Sequence, residues 1–293
     1  MSNPHIDVWS LVSQPAPEPP DMVVSGLLAG TVGAIVAPGG VGKSWVAAQL
    51  LLQVATGKDV LGLGQVKTGS VAYFNAEDPA KMLEWRMWHM LQRLGPSVSA
   101  LQPIPDQSAR FHLAALMGHS PRLLDASGNR VQEWIDYVKS WSYGRRLVII
   151  DTLRKFHGAE ENASGPMTTL TQILDEIARD TGAAVLFCHH SNKLAMAEGK
   201  GDEAGASRGS SALVDNIRWQ WNIVRMSQAE AKGFGVQDDS RKRWMKICGA
   251  KANYGEESKD LWLYKGINGV PEPMVLEKIE EKEKEKTNGK AAY

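Results

Sequence analysis

Two cysteines in 293 residues, Cys188 and Cys248, are too few and too isolated for a disulfide framework or a cysteine-bound metal. That scarcity fits a reducing compartment, so a cytoplasmic protein is expected. No uninterrupted apolar run approaches the roughly 20 residues of a membrane helix, and the N-terminus lacks the basic-then-apolar order of a secretory signal. Neither sign of charge is in excess, because 33 Lys and Arg balance 33 Asp and Glu. No global positive field therefore advertises nucleic acid, and such a partner has to be gripped by local loops or by a ring of subunits. With 43% hydrophobic and 23% charged residues, the chain has enough apolar material for one large α/β core.

The stretch that organises this core is AIVAPGGVGKSWVAAQLLL, from Ala34 to Leu52. Ala34, Ile35 and Val36 read as the end of a buried strand. Pro38, Gly39, Gly40, Val41 and Gly42 form a turn, and Lys43 and Ser44 open a helical segment. This is the outline of a phosphate-binding loop, which implies ATP and Mg²⁺ as cofactors. Glycines let backbone N–H groups curl around phosphate oxygens, the helix N-terminus adds its dipole, Lys43 reaches the β- and γ-phosphates, and Ser44 offers a hydroxyl to Mg²⁺. The pattern departs from G-x-x-x-x-G-K-[ST] at its first position, where Ala37 stands.

Around this loop the chain alternates strand and helix signals. Met1 to Val24, with five prolines and a short apolar cluster at Val8, Trp9, Leu11 and Val12, reads as an extended arm. It suits either packing on a neighbouring subunit or a loose tail. The main domain is expected over residues 25–275. Strands are predicted at Gly26–Val36, Ser70–Asn75, Phe111–Met117, Arg145–Asp151 and Ala183–Cys188, then within Leu213–Arg225, Trp244–Cys248 and Leu261–Tyr264. Helices are predicted after the loop to about Thr56, at Lys81–Leu94, Arg130–Trp141 and Thr168–Thr181. In the second helix Met82, Trp85, Trp88, Met90 and Leu91 are assigned to the core rather than to a base-stacking surface. Leu194–Ser207 reads as a mobile loop, and residues 276–293 as a Glu/Lys tail, either a solvated helix or disordered. Continuously apolar strands separated by helices predict a mainly parallel sheet with helices on both faces.

In such sheets functional groups gather beyond the carboxyl ends of the strands. Three further candidates sit there. Asp151, after LVII, is placed to hold Mg²⁺ directly or through water beside Ser44. Glu77, just past the SVAYFN strand, can orient and polarise the water that attacks a γ-phosphate. His190, at the end of AAVLFCHH, can donate a hydrogen bond to that phosphate, while His189 should point to the other face.

The blocks PGGVGKS, NAEDP, LVIIDTLRKFHGAEENASGPM, FCHHSNK and ASRGSSALVDNIRWQ resemble the RepA-type hexameric replicative DNA helicases of broad-host-range plasmids, ring ATPases with a RecA-like core. The resemblance runs from about Pro15 to Pro273, is loose over residues 95–130, and excludes the tail. It implies a homohexamer that hydrolyses ATP at subunit interfaces and moves 5′ to 3′ on single-stranded DNA in plasmid replication, with a replication initiator or primase as further partner. By resemblance Glu77 is the catalytic base, Asp151 the metal-associated acid and His190 the γ-phosphate sensor. The arginine finger falls on Arg218 or on Arg208, with Lys251 in attendance at the nucleotide. The loops after Asp151 and His190 supply DNA contacts through Arg154, Lys155, Lys193 and Lys200. Two other readings remain: a RecA-like recombination or repair ATPase that forms filaments, and a nucleotide-switched regulatory assembly protein. The chain shows no primase or zinc-binding signature outside its core, which favours the first.

Overall fold

The computed structural model describes residues 5–102, 110–190, 213, 216–255 and 260–279. A small antiparallel pair, β1 (Met22–Val24) and β2 (Leu27–Leu28), leads into β3 (Val32–Ala37), the phosphate loop and α1 (Lys43–Thr56). Next come β4 (Val71–Asn75), α2 (Ala80–Leu91), β5 (Phe111–Ala115), α3 (Gln132–Ser142), β6 (Leu147–Asp151), α4 (Ser164–Thr181) and β7 (Ala184–His190). The C-terminal part adds β8 (Trp219–Arg225), the short helices α5 (Gln228–Phe234) and α6 (Asp238–Arg241), β9 (Trp244–Ala252), β10 (Leu261–Lys265) and β11 (Pro271–Met274).

Nine of these strands make one sheet in the order β11-β10-β9-β8-β3-β7-β6-β4-β5. Every pairing from β8 to β5 is parallel, and every pairing from β8 to β11 is antiparallel. The parallel strands are apolar on both sides because helices cover both faces. Val32, Ala34 and Val36 of β3 face α3 and α4, whereas Ile35 and Ala37 face α1. The result is a mainly parallel α/β sheet with helices on both faces.

Local chemistry explains most element ends. α4 carries Met167, Leu170, Leu174 and Ile177 on one buried stripe, and Gly182 ends it in the left-handed region at φ +74°. Gly57 ends α1 in the same way, its N–H returning to the Gln53 carbonyl. Helix α1 is apolar nearly all round because it lies beneath the sheet and under the 57–69 turn. Of its buried glutamines, Gln53 is satisfied by the Gly64 carbonyl and the Val60 and Leu61 amides, and Gln49 donates to the Pro271 carbonyl.

The structure differs from the sequence reading in three places. Met82, Trp85 and Trp88 are not core residues: they are 44%, 44% and 57% exposed. Helix α2 packs on the α1 side of the core through Met90, with Met87 and Leu91 partly buried, while Trp85 meets Trp45 of α1 only edge-on and Met82 and Trp88 stay largely exposed. The arm does not extend to Val24, because Met22–Val24 form β1, where Val23 and Val24 are buried. β11, with Pro271 and Pro273, has no strand signal in the sequence and is tolerated because it is the edge strand. Among the described residues, no helix is long and apolar enough to cross a membrane.

Candidate nucleotide-hydrolysing site

The phosphate loop leaves β3 at Ala37, whose backbone still pairs in strand register with His190. Ala37 is fully buried in a regular strand, so this position does not need glycine. Gly40 and Gly42 do need it, with φ at +74° and +126°. A Cβ on Gly42 would also meet the Met245 Cε at 2.9 Å.

Lys43 begins α1 only 6% exposed, its Nζ 3.9 Å from Asp151 Oδ1. Asp151 is completely buried at the end of β6. Its Oδ2 accepts hydrogen bonds from the Tyr73 hydroxyl at 2.6 Å and from Asn75 Nδ2 at 3.3 Å, while Oδ1 has no hydrogen-bond partner. Burial, reinforced by Asp151, pushes the Tyr73 hydroxyl and the Cys188 thiol far above their usual pKa values. Both therefore stay protonated beside the carboxylate.

An orphaned carboxylate oxygen 3.9 Å from the Lys43 ammonium is what a hard cation shared with phosphates requires, and the residues fit Mg²⁺. Mg²⁺ arriving with nucleotide would neutralise phosphate charge here, and Ser44 and Asp151 are the residues that would hold it. Among the described residues no cluster of three or more His, Cys, Asp or Glu could hold a metal without such phosphates.

Glu77 follows β4 and faces the same pocket. Asn75 Oδ1 accepts the backbone N–H groups of Glu77 and Asp78 at 3.1 and 2.9 Å, fixing the turn that presents both acids. His190 Nε2 lies 3.8 Å from Glu77 Oε1, an ion-pair rather than a hydrogen-bond separation. Its proximity, aided by Lys43 and Lys155 and opposed by burial, holds the Glu77 carboxyl below the usual carboxylate range. His189, one residue earlier, is buried on the other face at 2% exposure.

The pocket between these groups, about 230 Å³, is walled by the loop residues, Trp45, Glu77, His190, an Asp78–Arg86 ion pair and Lys265. Lys265 Nζ and Arg225 Nη2 both donate to the Gly40 carbonyl, at 3.4 and 3.2 Å. Burial, and then the charge of Arg225, lowers the Lys265 pKa. Sequence reading missed Tyr73, Asn75, Asp78, Arg86, Arg225 and Lys265. Only Asn75 carried a local signal, as a turn-forming Asn two residues before Glu77. Tyr73, Asp78 and Arg86 lie close in sequence but carry no periodic signal that separates them from core or surface residues, and Arg225 and Lys265 arrive from strands distant in the chain.

Arg218 does not join this pocket. It precedes β8, its N–H bonded to the Val32 carbonyl at the start of β3. The loop leaves the opposite end of β3, about 17 Å away along a six-residue strand. Lys251 pairs with Gln220 at the same edge as Arg218. Arg154 and Lys155 lie exposed in a 3-10 turn after β6, Leu153–Phe156. Arg208, Lys193 and Lys200 lie outside the described residues.

Fold and site together define a P-loop ATPase of RecA-like architecture. The sequence profile of the AAA domain family matches residues 4–196, and the chain belongs to that family. Solved structures agree on the fold. The ATPase domain of G40P superposes with a TM-score of 0.55 at 15% identity, covering 92% of this chain and 96% of that one. A KaiC-like protein from the hyperthermophilic archaeon Pyrococcus horikoshii OT3 gives 0.52 at 13% identity, with 88% and 100% covered. The flagellar accessory protein FlaH from Methanocaldococcus jannaschii gives 0.51 at 10% identity, with 87% and 91% covered.

Proposed function

We propose that this protein is an ATP-driven DNA helicase of plasmid replication that works as a homohexameric ring and moves 5′ to 3′ on single-stranded DNA. The observation that carries the reading is the division of the catalytic set between opposite ends of the sheet. Lys43, Ser44, Glu77, Asp151 and His190 meet at the carboxyl ends of the strands, whereas Arg218 and Lys251 stand together at the amino ends. A head-to-tail contact between copies joins such surfaces, and repeated contacts of this kind form a ring where the rotation between copies closes and a filament where it does not.

In that reading each residue has a defined task. Lys43 and the loop amides bind the phosphates, and Ser44 and Asp151 hold Mg²⁺. Glu77, kept ionised by His190, takes a proton from the attacking water, and His190 senses the γ-phosphate. The neighbour supplies Arg218 as the finger that stabilises transition-state charge, with Arg208 as the alternative and Lys251 beside the nucleotide. The exposed Met82, Trp85 and Trp88 stripe beside Trp45 provides apolar area for the neighbouring copy to cover, as does the exposed Val8, Trp9 and Val12 arm. Arg154 and Lys155, repeated six times around a channel with Lys193 and Lys200, supply the cations that the neutral chain lacks globally.

Strand displacement on a 5′-tailed fork tests the reading. The wild-type protein is expected to unwind the fork with ATP, and Lys43→Ala to lose both unwinding and ATP turnover. ATP turnover without strand displacement would instead support the regulatory reading if the assembly is a ring, and the filament-forming reading if it is an open filament.

A further inference from the structure

A second cavity opens on the other side of Glu77, above the ends of β4, β5 and β6. At about 550 Å³ it is larger than the nucleotide pocket, and the two share Glu77 as a common wall. Three cations from two separate loops line it: Arg122 from the segment after β5, and Arg154 and Lys155 from the turn after β6.

Their partners leave positive charge over. Arg154 donates to the His157 carbonyl at 3.1 Å and stands 3.7 Å from Glu161. Lys155 has no ion pair among the described residues, and its charge acts on Glu77. Arg122 likewise has none; its backbone N–H donates to the Ser120 carbonyl, which tightens the turn that carries it. Met117, 52% exposed, adds an apolar face to the cavity's lining. Three cations around an exposed thioether match the two halves of a nucleotide, an anionic phosphate and a flat apolar base. The cavity is open and stands where strand ends gather ligands.

We propose that this cavity holds one nucleotide unit of a single DNA strand, its phosphate on Arg122, Arg154 and Lys155 and its base against Met117. The proposal rests on the helicase reading and adds to it a definite subsite with two previously unassigned residues. It also places the strand against Glu77, so occupancy and catalysis share a wall. A backbone phosphate on Lys155 draws that lysine's charge away from Glu77, a direct route from strand binding to the hydrolytic carboxylate.

The test is binding of a labelled oligothymidylate to the full chain across a salt series, for wild type, Arg122→Ala and Met117→Ala, with DNA-free ATP turnover confirming an intact fold. Arg122→Ala is expected to weaken binding about tenfold, as for loss of one charge-assisted hydrogen bond. It should also flatten the slope of log K against log salt by about 0.7, the value for one phosphate contact on a single strand. Met117→Ala is expected to weaken binding with the slope unchanged. Wild-type binding and slope in Arg122→Ala would overturn the subsite while leaving the helicase reading standing. No binding by wild type would overturn both. Thymidine monophosphate offers the same chemistry without a strand. Saturation by it where oligothymidylate does not bind would assign the cavity to a free nucleotide and overturn the proposal.

Discussion

Glu77 is about 40% exposed, and the neighbourhood of His190 sets its ionisation. The folded carboxyl titrates below its ordinary value, so a rate that depends on ionised Glu77 persists above that pKa and is lost as pH falls through it. Without His190, burial would act on Glu77 with less opposition. His190→Asn is therefore expected to move the acid limb of the ATP-turnover profile upward, whatever it does to the plateau. An unmoved limb would show that His190 does not tune this carboxyl. At this scale Lys43, Ser44, Glu77, Asp151 and His190 were legible because each ends or follows an apolar run, and strand ends converge in a parallel sheet. Tyr73 was not, since a Tyr inside a strand reads as core until its hydroxyl is seen 2.6 Å from Asp151. Arg225 and Lys265 were hidden for another reason: their meeting at the Gly40 carbonyl depends on how antiparallel strands fold back.

At the scale of elements, the β1–β2 pair is tied to the sheet by a guanidinium fork and by the Trp219 indole N–H, which donates to the Ser25 carbonyl at 3.0 Å. Arg146, just before β6, donates to both carboxylate oxygens of Asp21 at 2.9 Å and to the Met22 carbonyl at 2.7 Å. The Arg146 guanidinium lowers the Asp21 pKa to about 2 from 3.8. The pair's contribution is complete above the ordinary carboxylate value and is lost as pH falls toward the folded one. Because Asp21 is 45% exposed, solvent screening limits the effect. Arg146→Ala is expected to lower unfolding free energy by about 1 kcal/mol at neutral pH, measured by urea denaturation, with the difference shrinking at acid pH. An equal loss at every pH would assign the effect to packing instead. Elements with strong periodicity were legible, such as α4 with its Met167, Leu170, Leu174 and Ile177 stripe. β11 was hidden by its prolines. The orientation of α2 was hidden too, because periodicity reports that Trp85 and Trp88 share a face, not whether anything covers it.

Across the whole molecule, the parallel sheet has two chemically different ends. One gathers the phosphate loop, two acids and a histidine, and the other carries Arg218 and Lys251. The βα alternation of the sequence foretold the sheet, but the distance between Arg218 and its own phosphate loop emerges only once β8 is seen running parallel to β3. The separation underlies the central claim that each hydrolytic site is completed by a second copy. ATP turnover by a mixture of Glu77→Ala and Arg218→Ala proteins tests this most directly. Alone, the first is expected to lose about 10²- to 10⁴-fold in turnover and the second about 10³- to 10⁵-fold. Mixed into one assembly, some interfaces regain an intact Glu77 facing a neighbour's intact Arg218, and part of the turnover should return. No recovery, with co-assembly established by native mass, would contradict the claim and place both residues in the service of one subunit's site.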